Sequence, residues 1–279
     1  MNRFQSACLT SLAAWAGLVA FVGVQPAVAA DDAAVPLAAH HAVYKLSLMS
    51  ARGTNAPAAA SGAIDYDFKG SRCAGYTTNF HQIVEVQPAE GDSKLNDMRS
   101  NTVEDGAATR FTFKTKTSAD DDAPSDLAGR AERAGDGKIS VDIETPPGHA
   151  DFAADVLFPT QHLRRVIAAA ERGDKILSAD VYDGSETGKK LFHTLSVIGA
   201  PIQGAPDDPA GKAEGTRDVR RWPVVISYFE AGKEQPDYVL SSEIYENGIS
   251  RALKLDYGDF VLAGTLDQLT VAPPAACPK

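Results

Sequence analysis

Histidine is the residue type most often used for metal binding and proton transfer near neutral pH. The chain has six: His40, His41, His81, His149, His162 and His193. No two are spaced as H-x-x-x-H and none accompanies a C-x-x-C pair, so the spacing typical of zinc sites is missing. In an extended chain the adjacent rings of His40 and His41 point to opposite faces. We therefore predict no metal site, and we expect this pair to be exposed or to cap a strand.

The segment Gly184–Lys190 has some likeness to a phosphate-binding loop. A Walker A loop has four residues between its glycines and a Ser or Thr directly after its lysine. In this segment Gly184 and Gly188 are separated by three residues, and the residue after Lys189 is another lysine. The segment is therefore predicted to be a turn between the strands Ser178–Tyr182 and Leu191–Ile198.

Motifs for calcium binding and serine hydrolysis are also missing. The acidic run Asp120–Asp122 could attract calcium, but it lacks the spacing and glycine of an EF-hand loop, so we predict that Asp120–Asp126 is a solvated loop. The serine-hydrolase pattern G-x-S-x-G is absent. A triad assembled in space stays open at this stage. We predict no catalytic residue and no cofactor, and interpret the chain as non-enzymatic.

The N-terminus resembles a secretory signal. Arg3 is the only charge in residues 1–30, an apolar stretch Leu9–Val24 follows, and small residues occupy 27–30. This order of positive, apolar and small residues is typical of a cleaved signal peptide, and the stretch is short for a membrane span of about 20 residues. We predict a signal peptide over 1–30, cleaved near Ala29 or Ala30, and export to the periplasm.

Three cysteines are encoded, and cleavage of the signal peptide removes Cys8. Cys73 and Cys277 remain and would enter an oxidising compartment, where an even pair is most simply a disulfide. Free thiols or a redox pair are the alternatives, and neither cysteine lies in a C-x-x-C motif. A bond between an early segment and the end of the chain favours one domain over 31–279.

The balance of charge limits the partners. The full chain has 27 basic and 37 acidic residues and a net charge of -10. An acidic protein without a basic cluster repels phosphate backbones, so nucleic acid is excluded as the expected partner.

Most of the mature chain alternates between apolar and polar residues, the pattern of half-buried strands. In the first half this pattern covers His41–Leu48, Ala63–Phe68, Tyr76–Val86, Arg110–Thr117 and Lys138–Glu144. In the last third it covers Trp222–Phe229, Tyr238–Glu246, Ile249–Leu255 and Phe260–Val271. Asn247-Gly248 lies between two of these strands and is typical of a type I′ hairpin turn.

One amphipathic helix interrupts the strands. Pro159 suits its first turn, the apolar residues from Leu163 onward have helical spacing, and Gly173 suits its end. Pro201–Gly215 is predicted to be a loop. A mainly β chain of this kind avoids exposed edges by curling. We predict a long antiparallel meander curled into a broken barrel, or β-spiral, with the helix packed on it or plugging it.

Three segments resemble the EipB family of cell-envelope integrity proteins of α-proteobacteria: Ala39–Leu46, Val181–Ser185 and Leu255–Phe260. The resemblance covers essentially the whole mature chain and includes Cys73 and Cys277. It implies a periplasmic β-spiral similar to the lipoprotein carriers LolA and LolB, a disulfide, a role in envelope maintenance, and a tetratricopeptide-repeat protein as a candidate partner. The family brings no catalytic residues.

These observations lead to three hypotheses. The first is a non-enzymatic periplasmic protein that binds a protein partner or a lipid-like ligand at residues that the sequence does not identify. The second is a carrier of lipid or lipoprotein, which needs an apolar cavity lined by residues such as Phe111, Phe113, Tyr228 and Phe260. The third, with least support, is an envelope hydrolase.

Overall fold

The computed structural model describes residues 35–54, 56–120 and 122–273. The predicted signal peptide lies outside the described residues, and so does Cys277, one half of the predicted disulfide. The other half, Cys73, lies in the exposed turn after the second strand. The signal peptide, the disulfide and the single domain therefore stay predictions.

Fourteen strands and one α-helix make up the described fold. The strands of the first half are β1 His40–Ala51, β2 Ala59–Ser71, β3 Gly75–Gln87, β4 Lys94–Glu104, β5 Arg110–Ala119, β6 Asp122–Arg133, β7 Ile139–Thr145 and β8 Pro147–Phe152. The helix α1, Pro159–Arg172, follows them. The strands of the second half are β9 Ile176–Val181, β10 Phe192–Ile198, β11 Arg221–Glu230, β12 Tyr238–Tyr245, β13 Ser250–Asp256 and β14 Phe260–Val271. The predicted loop Pro201–Gly215 contains a short 3-10 helix, Pro209–Gly211.

The strands form one antiparallel sheet in the order β8-β7-β6-β5-β4-β3-β2-β1-β14-β13-β12-β11-β10-β9. The first and last strands pair in the middle of the sheet, where His40 lies opposite both Phe68 of β2 and Val271 of β14. The two strands at the free edges of the sheet are therefore β8, which precedes α1 in the chain, and β9, which follows it. This arrangement confirms the predicted mainly β fold, an open, curled meander with one helix.

The two edge strands, β8 and β9, do not pair with each other among the described residues, and the segment between β8 and α1 bridges only the C-terminal end of β9, at a junction that we call the seam. Leu157, just before α1, donates its N–H to the Asp180 carbonyl over 2.8 Å and accepts from the Tyr182 N–H over 2.9 Å. Beside this bridge the Phe152 and Tyr182 rings lie 5.0 Å apart. Two backbone hydrogen bonds and side-chain contacts therefore hold the seam.

The helix fills the inside of the curl, as predicted. It begins at Pro159 and ends at Gly173, whose φ of 85° provides the left-handed cap that glycine favours. Val166 and Ile167 are each 1% exposed and belong to a cluster with inward residues of β10–β12 such as Trp222. Full burial of an aliphatic side chain of this size contributes about 1.5–3 kcal/mol. Among the described residues, no helix has both the length and the apolar character needed to cross a membrane.

Strand β6 corrects the prediction of a loop at Asp120–Asp126, because a strand begins at Asp122. Its inward position 129 must be small for a steric reason, because a Cβ on Gly129 would lie 2.6 Å from the Phe113 ring. Strand β6 contains small residues, a proline and charged residues, so its sequence does not show the alternation of apolar and polar residues that predicts a strand. The alternation does not predict β4 or β8 either.

The hairpin between β12 and β13 also differs from the prediction. The Tyr245 N–H donates to the Ile249 carbonyl over 2.8 Å, which leaves a loop of three residues rather than two. Gly248 has a φ of 85°, and Asn247 is not among the residues with positive φ. A type I′ turn needs positive φ at both positions. The Asn247 amide instead donates to the Gly215 carbonyl over 2.7 Å, so it joins the hairpin to the preceding loop.

Candidate functional site

The inner face of β2–β6 forms the floor of a cavity. Strand register places five inward side chains in one row across these strands: Tyr66, Phe80, Ser100, Thr115 and Leu127. Opposed residues in an antiparallel sheet share a face, so their side chains form a continuous surface. The row changes from aromatic to hydroxyl to aliphatic across the sheet.

Hydroxyl groups are the main polar feature of this floor. Six side chains supply them: Thr78, Ser100, Thr102, Thr115, Thr117 and Ser125. The Ser100 and Thr115 oxygens are 3.0 Å apart and hydrogen-bonded across the strands. Burial raises the pKa of Tyr66 to about 12, although its hydrogen bond to Thr78 acts in the opposite direction. The floor is therefore uncharged near neutral pH.

The cavity above this floor has a volume of about 600 Å³. One wall is the start of α1, where Pro159, Thr160 and Leu163 face the cavity. The other wall is the loop after β9, which contributes Asp183, Ser185 and Glu186. The cavity thus combines aromatic and aliphatic side chains, hydroxyl groups and, at one side, carboxyl groups.

The loop after β9 is the segment that resembled a phosphate loop. The structure confirms that it is a turn between two strands. The Ser185 N–H donates to the Asp183 carboxylate over 2.9 Å, and burial raises the pKa of Asp183. Gly184 has a φ of 69° and packs directly on the core ring of Phe113. These contacts place the loop against Phe113, at the side of the cavity.

Two stacked tyrosines, on β11 and β12, add buried hydroxyl groups to the interior of the curl. The Tyr228 and Tyr238 rings are 4.3 Å apart and nearly parallel, and the Phe192 ring meets both edge-on. Burial raises the pKa of both hydroxyls, and the Asp183 carboxylate acts in the same direction. Both hydroxyls therefore stay protonated near neutral pH and can donate hydrogen bonds.

A buried glutamate positions the helix that forms the cavity wall. Glu104, at the end of β4, is 2% exposed. Its carboxylate accepts from the backbone N–H groups of Thr160 over 2.8 Å and Gln161 over 3.0 Å. Burial raises the pKa of Glu104 to about 7, while these bonds and the nearby Arg164 guanidinium act in the opposite direction. Glu104 thus satisfies two of the N–H groups that a helix start leaves without partners.

Several residues singled out from the sequence lie away from this cavity. Phe111 and Phe113 are 0% and 3% exposed and pack in the core, so the expectation that they line a cavity is wrong. Tyr228 belongs to the stacked pair, and Phe260 packs beside a core cluster. Alternation predicted the face of Phe111 and Phe113 correctly. The same face continues into Thr115 and Thr117, which are the residues of β5 that reach the cavity.

The two adjacent histidines point to opposite faces, as predicted. His41 is hydrogen-bonded to Asp65 over 3.0 Å on the outer face. His40, at the first position of β1, is 5% exposed and packs against the rings of Tyr66 and Phe68, so it is buried rather than exposed. Within the described part of the chain, no three His, Cys, Asp or Glu side chains are grouped as a metal site.

The fold and cavity define a class of protein: an open, curled antiparallel sheet around a helix, with an internal cavity. The model of the EipB-like family matches residues 31–273. The chain is 34% identical over 260 residues to the cell envelope integrity protein EipB of Brucella abortus (strain 2308), covering 92% of this chain and 90% of the relative. This chain belongs to the EipB-like family.

A solved structure has the same fold. It is a crystal structure of a beta-barrel-like protein of a domain of unknown function from Brucella abortus, with a TM-score of 0.80 and 32% sequence identity. The match covers 86% of this chain and 100% of that one.

Proposed function

We propose that this chain is a non-enzymatic periplasmic protein that supports envelope integrity by binding a lipid-like ligand, or a periplasmic protein, with its curled sheet. The observation that carries the ligand-binding part is the cavity of about 600 Å³ inside the curl. Sites for small molecules commonly have volumes of about 300–1,000 Å³ and combine apolar walls with a few polar groups. The relative named for cell envelope integrity supports the envelope role.

The lining favours an amphiphile over a purely apolar ligand. Tyr66, Phe68, Phe80 and Leu163 offer apolar surface, while the floor between them offers hydroxyl groups. A buried hydroxyl that loses water without gaining a partner is costly, by about 1–3 kcal/mol. A bound ligand must therefore carry polar groups along part of its length.

The carrier hypothesis, for lipid or lipoprotein, is the nearest alternative and would use the same cavity. It differs in requiring release of the ligand at a membrane. The hydrolase hypothesis has less support. The Asp183 carboxylate accepts from the backbone N–H of Ser185, and among the described residues neither histidine nor lysine lines the cavity to take a proton from a hydroxyl.

The proposed periplasmic location and the proposed protein partner are supported by the sequence and not by the cavity. The pattern of residues 1–30 supports export to the periplasm. The family resemblance supports a tetratricopeptide-repeat protein as one candidate partner.

Binding in the cavity can be tested with the mature chain and a dansyl-labelled fatty acid. We expect saturable binding that Thr115→Phe abolishes, because the larger ring would occupy the floor of the cavity. Thr112→Phe is the matched control, since Thr112 lies on the outer face of the same strand and is exposed. Equal binding by both variants, or no binding by the unmodified chain, would refute the proposal. If the cavity does bind the fatty acid, mass spectrometry of gently purified protein would identify a natural ligand.

A further inference from the structure

The edge strand β9 has an open side. Its other side pairs with β10, and the Ile198 N–H donates to the Lys175 carbonyl over 2.9 Å just before β9 begins. On the open side, Leu157 bonds to Asp180 and Tyr182. Backbone groups alternate in direction along a strand, so those of Ile176 and Ser178 point to this same side. Among the described residues, no backbone group bonds to Ile176 or Ser178 from that side.

An exposed apolar row begins at this edge. Register places Ile176 opposite Val197 and Val197 opposite Val225, on the outer face of the sheet. These three side chains are 65%, 48% and 38% exposed, and Leu195 beside them is 36% exposed. The outer face of β3–β5 is polar along the middle of its strands, with Asn79, Arg99, Asn101, Lys114 and Lys116. Unpaired backbone groups on an edge strand are a template for pairing with another chain, and exposed apolar side chains beside them favour such pairing.

The opposite edge is protected. Strand β8 carries Pro147, and the His149 ring nitrogens lie 3.4 Å from the Asp142 carboxylate and 3.2 Å from the Asp151 carboxylate. Proline and charged side chains are the usual means by which a sheet edge resists pairing with another chain. At Ile176 and Ser178, strand β9 has neither a proline nor a charged side chain to resist such pairing.

We propose that β9 binds an extended segment of another polypeptide, which adds to the sheet edge and presents apolar side chains at alternate positions. The open N–H and C=O groups specify an extended backbone, and the row that begins at Ile176 specifies apolar side chains on one face. This inference rests on the proposed binding of a periplasmic protein and is independent of the cavity.

The open edge can be tested first by amide hydrogen exchange on the mature chain. We expect fast exchange at Ile176 and Ser178 and slow exchange at Leu177 and Ala179, whose backbone groups face β10. The probe for binding is a soluble peptide of alternating valine and threonine flanked by lysines. Binding should slow exchange at Ile176 and Ser178. A peptide of the same composition with its valines in one block is the control.

Two substitutions in the protein complete the test. Ser178→Pro removes an open N–H, and Ile176→Lys removes the apolar contact. Each should weaken peptide binding at least tenfold, whereas Val103→Lys, at an exposed valine of β4, should leave it unchanged. If Ser178→Pro does not fold, Ile176→Lys still decides the outcome.

Three results would overturn the inference: no protection by the alternating peptide, equal protection by the block peptide, or binding unaffected by both substitutions. Concentration-dependent dimerisation that Ser178→Pro abolishes would instead assign the edge to a second copy of the chain. If Ser178→Pro and Ile176→Lys still bind the fatty acid, their loss of peptide binding reports on the edge strand and not on damage to the cavity.

Discussion

Glu104 should make the stability of this fold depend on pH in an identifiable way. Its pKa is raised from 4.5 to about 7 in the folded chain, chiefly by burial. Between these values the folded chain binds more protons than the unfolded chain, so the free energy of unfolding falls as pH rises. A difference of about 2.5 pKa units corresponds to about 3 kcal/mol over the whole window.

His162 acts in the opposite direction. It is 4% exposed, and burial lowers its pKa from 6.5 to about 4. Between these values the unfolded chain binds more protons, so the free energy of unfolding rises with pH. The two contributions largely cancel between about pH 4.5 and 6.5, so the unmodified chain alone cannot reveal either one.

Replacement of Glu104 by glutamine separates the two groups. We expect the stability of the unmodified chain minus that of Glu104→Gln to fall by about 3 kcal/mol between about pH 4.5 and 7.5. The lost acceptor for a helix N–H adds an offset that does not change with pH. Urea unfolding at constant ionic strength measures the difference, with the exposed Glu85→Gln as a control that should stay flat.

The opposite slope would refute this reasoning. If the difference rises with pH, the ionised carboxylate is stabilised more by the two helix N–H groups and Arg164 than it is destabilised by burial. The outcome thus decides which of two competing effects is larger at this helix start.

Three further predictions concern stability. Gly184→Ala should cost about 2–4 kcal/mol, because a Cβ there would overlap the Phe113 ring at a φ of 69°. Gly232→Ala is its control in urea unfolding, since Gly232 has a φ of 82° and no described atom within 4 Å of its Cβ position, and equal costs would show that the contact with Phe113 is unimportant. Ile167→Ala should cost about 2–5 kcal/mol, because the side chain is 1% exposed, whereas Ile176→Ala, at 65% exposure, should change stability by less than about 0.5 kcal/mol; similar losses would contradict the assigned burial. Cys73→Ser should lower stability by up to about 5 kcal/mol, the value expected for closing a loop that spans most of the chain, and a melting temperature unchanged by the substitution and by reductant would mean that the bond is absent or without effect.

The sequence predicts the fold class because its longest strands alternate clearly. Ile64, Tyr66 and Phe68 share one face in the pattern and in β2. Strand β6 escapes prediction because Gly129 is required by the neighbouring Phe113 ring, which local sequence does not reveal. The pairing of β1 with β14 is equally hidden, since it joins segments far apart in the chain, such as those that carry His40 and Val271.

The cavity is harder to predict than the strands that form it. Its floor depends on the register of five neighbouring strands, and β4 carries no clear alternation. The role of Glu104 depends on a helix start that lies 56 residues further along the chain. A charged residue at the end of a strand is usually solvated, so nothing local marks this one as buried.

The topology explains how a Cys73–Cys277 bond would stabilise the centre of the fold. Strand β14 ends at Val271, opposite His40, and His40 lies opposite Phe68, so the end of β14 and the turn that carries Cys73 lie at the same end of the sheet. Cys277 follows Val271 by six residues, and an extended segment of that length can span about 20 Å. A bond here would fasten the middle of the sheet, where the first and last strands pair.

Such a bond would leave the cavity able to open at the opposite margin. The seam between β8 and β9 is held by the two backbone bonds of Leu157 and by side-chain contacts such as that between Phe152 and Tyr182. Separation of two neighbouring strands within the sheet would instead break a ladder, because each neighbouring pair is hydrogen-bonded. Any widening of the curl around a ligand is therefore expected at the seam, since it breaks the fewest hydrogen bonds there.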